Sequence, residues 1–240
     1  MSRHQQEQIK IINEIEAQVK SNSLQATAVL PVSNFDEDTR MCLTSVHFPD
    51  ISLIDQIYSS IIEPLNKLFP DAYYYSPSSL HLTIKNIRVI NDPPTFTDKE
   101  IDIANDVFSR RIPIHKQFAI YPYRLLLFKN NLALMSTSDE ELDSIILDLS
   151  SALTTAGIPD DKQYINSRYF FSNMTLARFS TIPSHEFKEK VEHLSSHLKL
   201  NPYIVDSVSL ITSNAVMKKR KEWGKWGLQA DHYNSSNSQK

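Results

Sequence analysis

The amino-acid sequence predicts an α+β fold of two pseudo-symmetric lobes. Segments with apolar residues at helical spacing interleave with segments that alternate as strands do. Two strand-like segments of similar wording, around His81 and Asn173, stand 92 positions apart, and each is followed by a helix. No linker rich in Gly, Pro or Ser divides the chain. Both halves are therefore expected in one domain over residues 41–228, with residues 1–40 as an N-terminal extension (a helix plus a strand) and 229–240 as a polar tail.

In chain order, Ile12, Ile15 and Val19 mark a helix over 4–20, and the apolar run at 26–32 predicts a strand. An acidic turn, Phe35-Asp36-Glu37-Asp38, leads into a second strand over 41–48. Ile54, Ile57, Ile61, Leu65 and Leu68 then form one helical face, which Pro64 should kink or split. Residues 80–90 alternate as a strand. Thr97 and Glu100 form a capping box for a helix running to about Arg111. A hairpin is expected over 117–136, turning at Lys129-Asn130-Asn131. Ser138 and Glu141 form a second capping box, and Gly157 stops the helix that follows. A strand over 169–179, a helix over 184–198, a strand over 204–212 and a last strand over 223–228 complete the pattern.

Composition narrows the function classes. Of 240 residues 41% are apolar and the net charge is −3, which suits a folded core and argues against extensive nucleic-acid binding. No apolar run reaches the roughly 18 residues of a membrane span, and no secretory signal opens the chain, so a cytoplasmic protein is expected. One cysteine, Cys42, excludes an internal disulfide and a cysteine-rich zinc site. Only three glycines are present, too few for a glycine-rich phosphate loop. Any phosphate must be held by side chains.

The two similar segments carry the chemistry. Leu80-His81-Leu82-Thr83-Ile84-Lys85 puts His81, Thr83 and Lys85 on one face by alternation. Ser172-Asn173-Met174-Thr175-Leu176-Ala177-Arg178 puts Asn173 and Thr175 together and Arg178 opposite. An imidazole two residues before a hydroxyl suits phosphate chemistry, because the hydroxyl holds a phosphoryl oxygen while the imidazole moves a proton. One such strand is common as a polar sheet face. Two of them, each followed by a helix, are much less so.

These residues resemble the signature of the two-histidine phosphoesterase superfamily, which includes 2′,5′-RNA ligase-like proteins and 2′,3′-cyclic nucleotide phosphodiesterases. The likeness runs from about residue 41 to 228. It implies two antiparallel sheets with outer helices around a central groove, a nucleotide or short-RNA substrate, and no cofactor or metal. His81-Leu82-Thr83 matches the first motif, and Asn173-Met174-Thr175 matches the second with its histidine replaced. The implied catalytic pair is then His81 and Asn173, with Thr83, Thr175 and Lys85 on the phosphate. Asparagine cannot exchange a proton near pH 7, so the alternatives are weakened one-histidine catalysis and a non-catalytic nucleotide-binding module. The likeness says nothing of oligomeric state.

Other candidates are weaker. His47 is the best substitute for the missing histidine, although its place before Pro49 also suits a surface strand end. His193 and His197 have i, i+4 spacing but no evident third ligand. Lys218-Lys219-Arg220-Lys221, followed by Trp223, is suited to an RNA backbone and a stacked base, or else to a charged turn with packed tryptophans.

Overall fold

A computed structural model describes residues 1–25, 29–162 and 164–230. Its elements run α1 (Arg3–Lys20), β1 (Met41–His47), α2 (Ile51–Ile57), α3 (Glu63–Leu68), β2 (Tyr73–Tyr74), β3 (Leu82–Asn91), α4 (Asp98–Arg111), β4 (Phe118–Leu127), β5 (Asn131–Ser138), α5 (Glu141–Thr155), β6 (Ser172–Arg178), α6 (His185–Ser196), β7 (Tyr203–Val205), β8 (Ser207–Ser213) and β9 (Arg220–Gly227). The strands form two antiparallel sheets, ordered β3-β1-β8-β9 and β2-β6-β5-β4-β7. No helix among the described residues is long and apolar enough to cross a membrane.

Local chemistry explains most boundaries. Thr97 and Glu100 form the expected reciprocal capping box on α4, and Ser184 caps α6. Gly157, at φ +82°, takes the left-handed conformation that ends α5. Before Pro64 the helix widens into a π stretch, Tyr58–Ile62, where the proline ring and missing N–H interrupt the α-helical ladder.

Four expectations are corrected. Ser138 does not cap α5; its hydroxyl and backbone N–H bond Gln8 of α1 instead. No strand forms over residues 29–32, and residues 26–28 lie outside the described residues, as does the tail from 231 on. The strand expected over 204–212 breaks at Asp206, giving β7 to one sheet and β8 to the other. The last strand begins at Arg220, earlier than the tryptophans suggest.

One large core spans both sheets and the helices against them, from Leu43 and Val46 to Leu132, Leu134, Met174 and Leu176. A second, smaller core lies under α1. There Ile11, Ile12 and Ile15 cover Leu126, Ala133 and Met135, flanked by Tyr169 and Phe171. The fully buried Gln8 amide fastens this helix by donating to Ser138 Oγ and the Phe170 carbonyl while accepting from the Ser138 N–H. The N-terminal helix is thus part of the fold of the second lobe.

Candidate functional site

β3 and β6 lie against each other, so the two motif strands meet where the lobes meet. Pairing across the sheets fixes which side chains share a face. In β6, Asn173 stands opposite Met135, Thr175 opposite Ala133 and Arg178 opposite Asn131. These three partners are alternate residues of β5, so Asn173, Thr175 and Arg178 share one face. Simple alternation puts Arg178 on the other side. The structure overturns that because Leu176 is an extra residue between the pairs Thr175–Ala133 and Ala177–Leu132, a β-bulge that reverses the parity.

A bulge in β3 acts oppositely. Thr83 pairs with Val46 and Lys85 with Ser45, adjacent residues of β1, with Ile84 unmatched between them. Lys85 therefore leaves the face of Thr83. Its fully buried ammonium forms an ion pair with Asp160 and approaches the Tyr164 hydroxyl at 3.4 Å. Burial pushes the Lys85 amine below its ordinary range, opposed by Asp160.

His81 is 6% exposed, between the rings of Tyr75 and Phe48. Its Nδ1 lies 2.8 Å from the Ser79 carbonyl. A carbonyl only accepts, so neutral His81 carries its hydrogen on Nδ1 and leaves the Nε2 lone pair free. Burial pushes its pKa down to about 4. The Ser79 bond opposes the shift, and the charges of Arg178 and Arg220 add to it.

The electrostatics of those two arginines is unusual. Arg178, 9% exposed, donates through Nε to the Tyr75 hydroxyl at 2.9 Å and to the Ala215 carbonyl at 3.3 Å. Arg220 donates to the carbonyls of Ser78 and Met217 and stacks over Phe48. Neither has a carboxylate partner among the described residues. Nor do the half-buried side chains of Thr83, Asn173 and Thr175 hydrogen-bond to any described residue. Asp38, itself bonded to Arg40, is near enough for its carboxylate to feel the Arg178 charge but forms no ion pair with it. Two guanidiniums that hydrogen-bond only neutral acceptors among the described residues, with three unpartnered polar side chains on the motif strands, suit an anion that brings its own acceptors.

The remaining candidates lie elsewhere. His47 is 2% exposed, with Nδ1 on the Ser207 carbonyl at 2.8 Å and Nε2 on the Tyr203 hydroxyl at 3.0 Å. It belongs to the face of β1 opposite that of Val46, the partner of Thr83. Trp223 packs on the main core, donates to Thr212 Oγ1 at 3.1 Å and carries Lys221 over its ring. Lys218 pairs with Asp36, and Lys219 donates to the Glu37 and Asp38 carbonyls, so the basic run fastens an N-terminal segment. Among the described residues no group of three or more His, Cys, Asp or Glu is arranged to hold a metal ion.

Tyr75, whose ring lies by His81 and whose hydroxyl accepts from Arg178, escapes the sequence pattern, and so does the link between Arg220 and His81. Arg220 is visible only as one charge in a basic run, and Tyr73-Tyr74-Tyr75 only as aromatic residues just before the first motif.

Solved structures share this fold. Escherichia coli LigT complexed with phosphate is 14% identical, with TM-score 0.51 over 80% of this chain and 99% of its own. A Thermus thermophilus protein is 14% identical, with TM-score 0.52 over 81% and 100%. A conserved Agrobacterium tumefaciens protein of unknown function is 15% identical, with TM-score 0.51 over 87% and 97%. No protein-family model and no curated protein sequence matches the chain.

Proposed function

We propose that the protein is a phosphoesterase of the two-histidine type, acting on a 2′,3′-cyclic phosphate or a 2′,5′ linkage in a nucleotide or short RNA, with one histidine. The observation that carries the reading is a free Nε2 on His81 together with unpartnered hydroxyls on Thr83 and Thr175, carried by two motif strands that lie against each other. The crystal structures of E. coli LigT with phosphate and with NADP+ supply a precedent for phosphate-bearing ligands on this fold.

In this scheme Thr83, Thr175 and Arg178 hold the phosphoryl oxygens. Water attacks phosphorus, and His81 Nε2 takes its proton. One ester P–O bond of the cyclic phosphate breaks, leaving a phosphomonoester. The departing oxygen takes a proton from solvent, since Asn173 offers only a hydrogen bond. Losing one positioned acid typically costs about 10²–10⁴-fold, so turnover is slow.

Turnover of a 2′,3′-cyclic nucleotide by the wild type and by His81→Ala tests this, with affinity measured calorimetrically in both. His81→Ala is expected to bind and to lose about 10²–10⁴-fold in rate. Asn173 itself favours a second reading, a nucleotide-binding module that no longer turns over; binding with equal, background turnover in both proteins selects it.

A further inference from the structure

Residues 29–38, between α1 and β1, cross from one lobe to the other at the arginine end of the motif strands. The Asn130 amide donates to the Val29 carbonyl at 3.4 Å, and the Ser180 hydroxyl to the Val32 carbonyl at 2.9 Å, which holds the segment on the second sheet. Phe35, 4% exposed, then packs its ring 5.8 Å from that of Tyr73. Tyr73 is the β-sheet partner of Arg178. One residue on, Asp36 pairs with Lys218 at 2.9 Å, and Lys219 reaches the carbonyls of Glu37 and Asp38 at 3.3 Å. Lys218 and Lys219 belong to the turn between β8 and β9 of the first sheet and directly precede Arg220. The short helical turn Phe35–Glu37 thus ties Tyr73 of one sheet to the β8–β9 turn of the other.

Meanwhile α1 lies on Ala133 and Met135, the β5 partners of Thr175 and Asn173. The face that bears the second motif is walled along one side by that helix and crossed at one end by the strap. The strap adjoins both arginines: Asp38 feels the Arg178 charge, and Lys219, the residue before Arg220, is bonded to the Asp38 carbonyl.

From this we infer that the groove is closed at the Arg178–Arg220 end, so that it takes a terminal phosphate, the 2′,3′-cyclic end of a nucleotide or short RNA, and excludes a phosphodiester with chain continuing on both sides. The inference rests on the proposed phosphoesterase site and narrows its substrate class. A phosphate drawn to the arginines meets, beyond them, Tyr73 and the turn that Phe35 anchors in the core. An RNA end can stop there; a continuing strand has no exit.

Three ligands separate the cases in calorimetric titration: a 2′,3′-cyclic mononucleotide, a trinucleotide ending in a 2′,3′-cyclic phosphate, and an oligonucleotide with a 2′,5′ linkage flanked by several nucleotides on each side. The wild type should bind the first two and bind the third at least about tenfold more weakly, the discrimination a steric block supplies. Phe35→Ala should shrink that gap and keep mononucleotide affinity. Because Phe35 is a core residue, the pair Asp36→Ala with Lys218→Ala, both at exposed positions, loosens the same strap without a cavity and should act in the same direction. Equal binding of the internally linked ligand by the wild type overturns the inference while the phosphoesterase reading stands. An unchanged gap in folded strap variants also overturns it. Binding of none of the three overturns both.

Discussion

Thr83 and Lys85 are two positions apart in β3 and face opposite sides of the sheet, because Ile84 is an unmatched residue between their partners Val46 and Ser45. The reverse exchange occurs in β6, where the unmatched Leu176 turns Arg178 onto the face of Thr175. Together the two bulges take a lysine out of the groove and bring an arginine in. The exchange has chemical content. A guanidinium presents a planar fork of donors to a phosphoryl group, whereas an ammonium acts as a point charge. Lys85 gains the half-buried carboxylate of Asp160, and Arg178 hydrogen-bonds neutral acceptors.

On the proposed reading, Arg178 should contribute more to phosphate affinity than Lys85. A hydrogen bond to a charged group is worth about 1.5–3 kcal/mol, so Arg178→Met should weaken nucleotide binding by roughly 10–100-fold. Replacing Thr83 and Thr175 together by Val should weaken it by about tenfold, at roughly 0.5–1.5 kcal/mol for each neutral bond. Calorimetric titration with a 2′,3′-cyclic nucleotide reads both. Wild-type affinity in Arg178→Met would place the phosphate away from this guanidinium.

Residues whose roles depend on their own segment are legible in the sequence. The Thr97–Glu100 capping box, the Gly157 stop and the alternation of Asn173 with Thr175 need no information from elsewhere in the chain. Alternation misplaces Lys85 and Arg178 because strand parity holds only while pairing is regular, and a bulge is visible only against the partner strand. The same limit explains Ser138, whose capping pattern loses to a competing hydrogen bond from Gln8, distant in sequence. Residues 204–212 read as one strand because both halves are apolar; the break at Asp206 marks where the chain changes sheets. Arg220 escapes because nothing local ties it to His81. Only the fold brings its charge to that ring.

The Lys85–Asp160 pair should be a stability element. Asp160→Asn leaves the ammonium buried without a counter-charge, which typically costs about 3–5 kcal/mol. Burial holds the folded-state pKa of Lys85 below its ordinary value, so the unfolded chain binds this proton more tightly. Stability of Asp160→Asn should accordingly recover as pH rises toward the lysine range. Lys85→Met in the same background should restore much of the loss at neutral pH. Urea unfolding at about pH 7 and about pH 9.5 measures both effects; a variant as stable as the wild type at neutral pH would show that the pair is solvated.

His81 should leave two pH signatures. Its pKa is about 4 in the folded chain against an ordinary 6.5, so the unfolded state takes up the proton first as pH falls. Its contribution is complete above pH 6.5 and is lost on acidification toward pH 4, a change of about 3 kcal/mol at roughly 1.4 kcal/mol per unit. His81→Gln should remove that part of the acid destabilisation, seen as a flatter stability profile between pH 6.5 and 4. Kinetically, the acid limb of kcat/KM for the free protein should lie near pH 4 rather than near 6.5. A bound phosphate offsets the charges of Arg178 and Arg220, so the limb of kcat should lie higher. Coincident limbs near pH 6.5 would mean that the imidazole is solvated in the working protein.

The replaced histidine gives the sharpest test. Asn173 is half-buried, hydrogen-bonds to no described side chain, and stands on the face of Thr175, while Met174 and Leu176 anchor the opposite side of β6 in the main core. Asn173→His therefore adds a proton-transfer group at the groove without repacking that core. Restoring one positioned acid should raise turnover of a 2′,3′-cyclic nucleotide by about 10²–10⁴-fold, since the departing oxygen would then receive its proton from imidazolium instead of from water. The pH–rate profile should change from one ionisation to two. Adding His81→Ala to Asn173→His should remove most of the gain, because base and acid act as a unit. A folded Asn173→His that binds the nucleotide and gains nothing in rate would mean that the groove lacks more than one histidine. The protein would then be a nucleotide-binding module, and the free Nε2 of His81 a hydrogen-bond acceptor for its ligand.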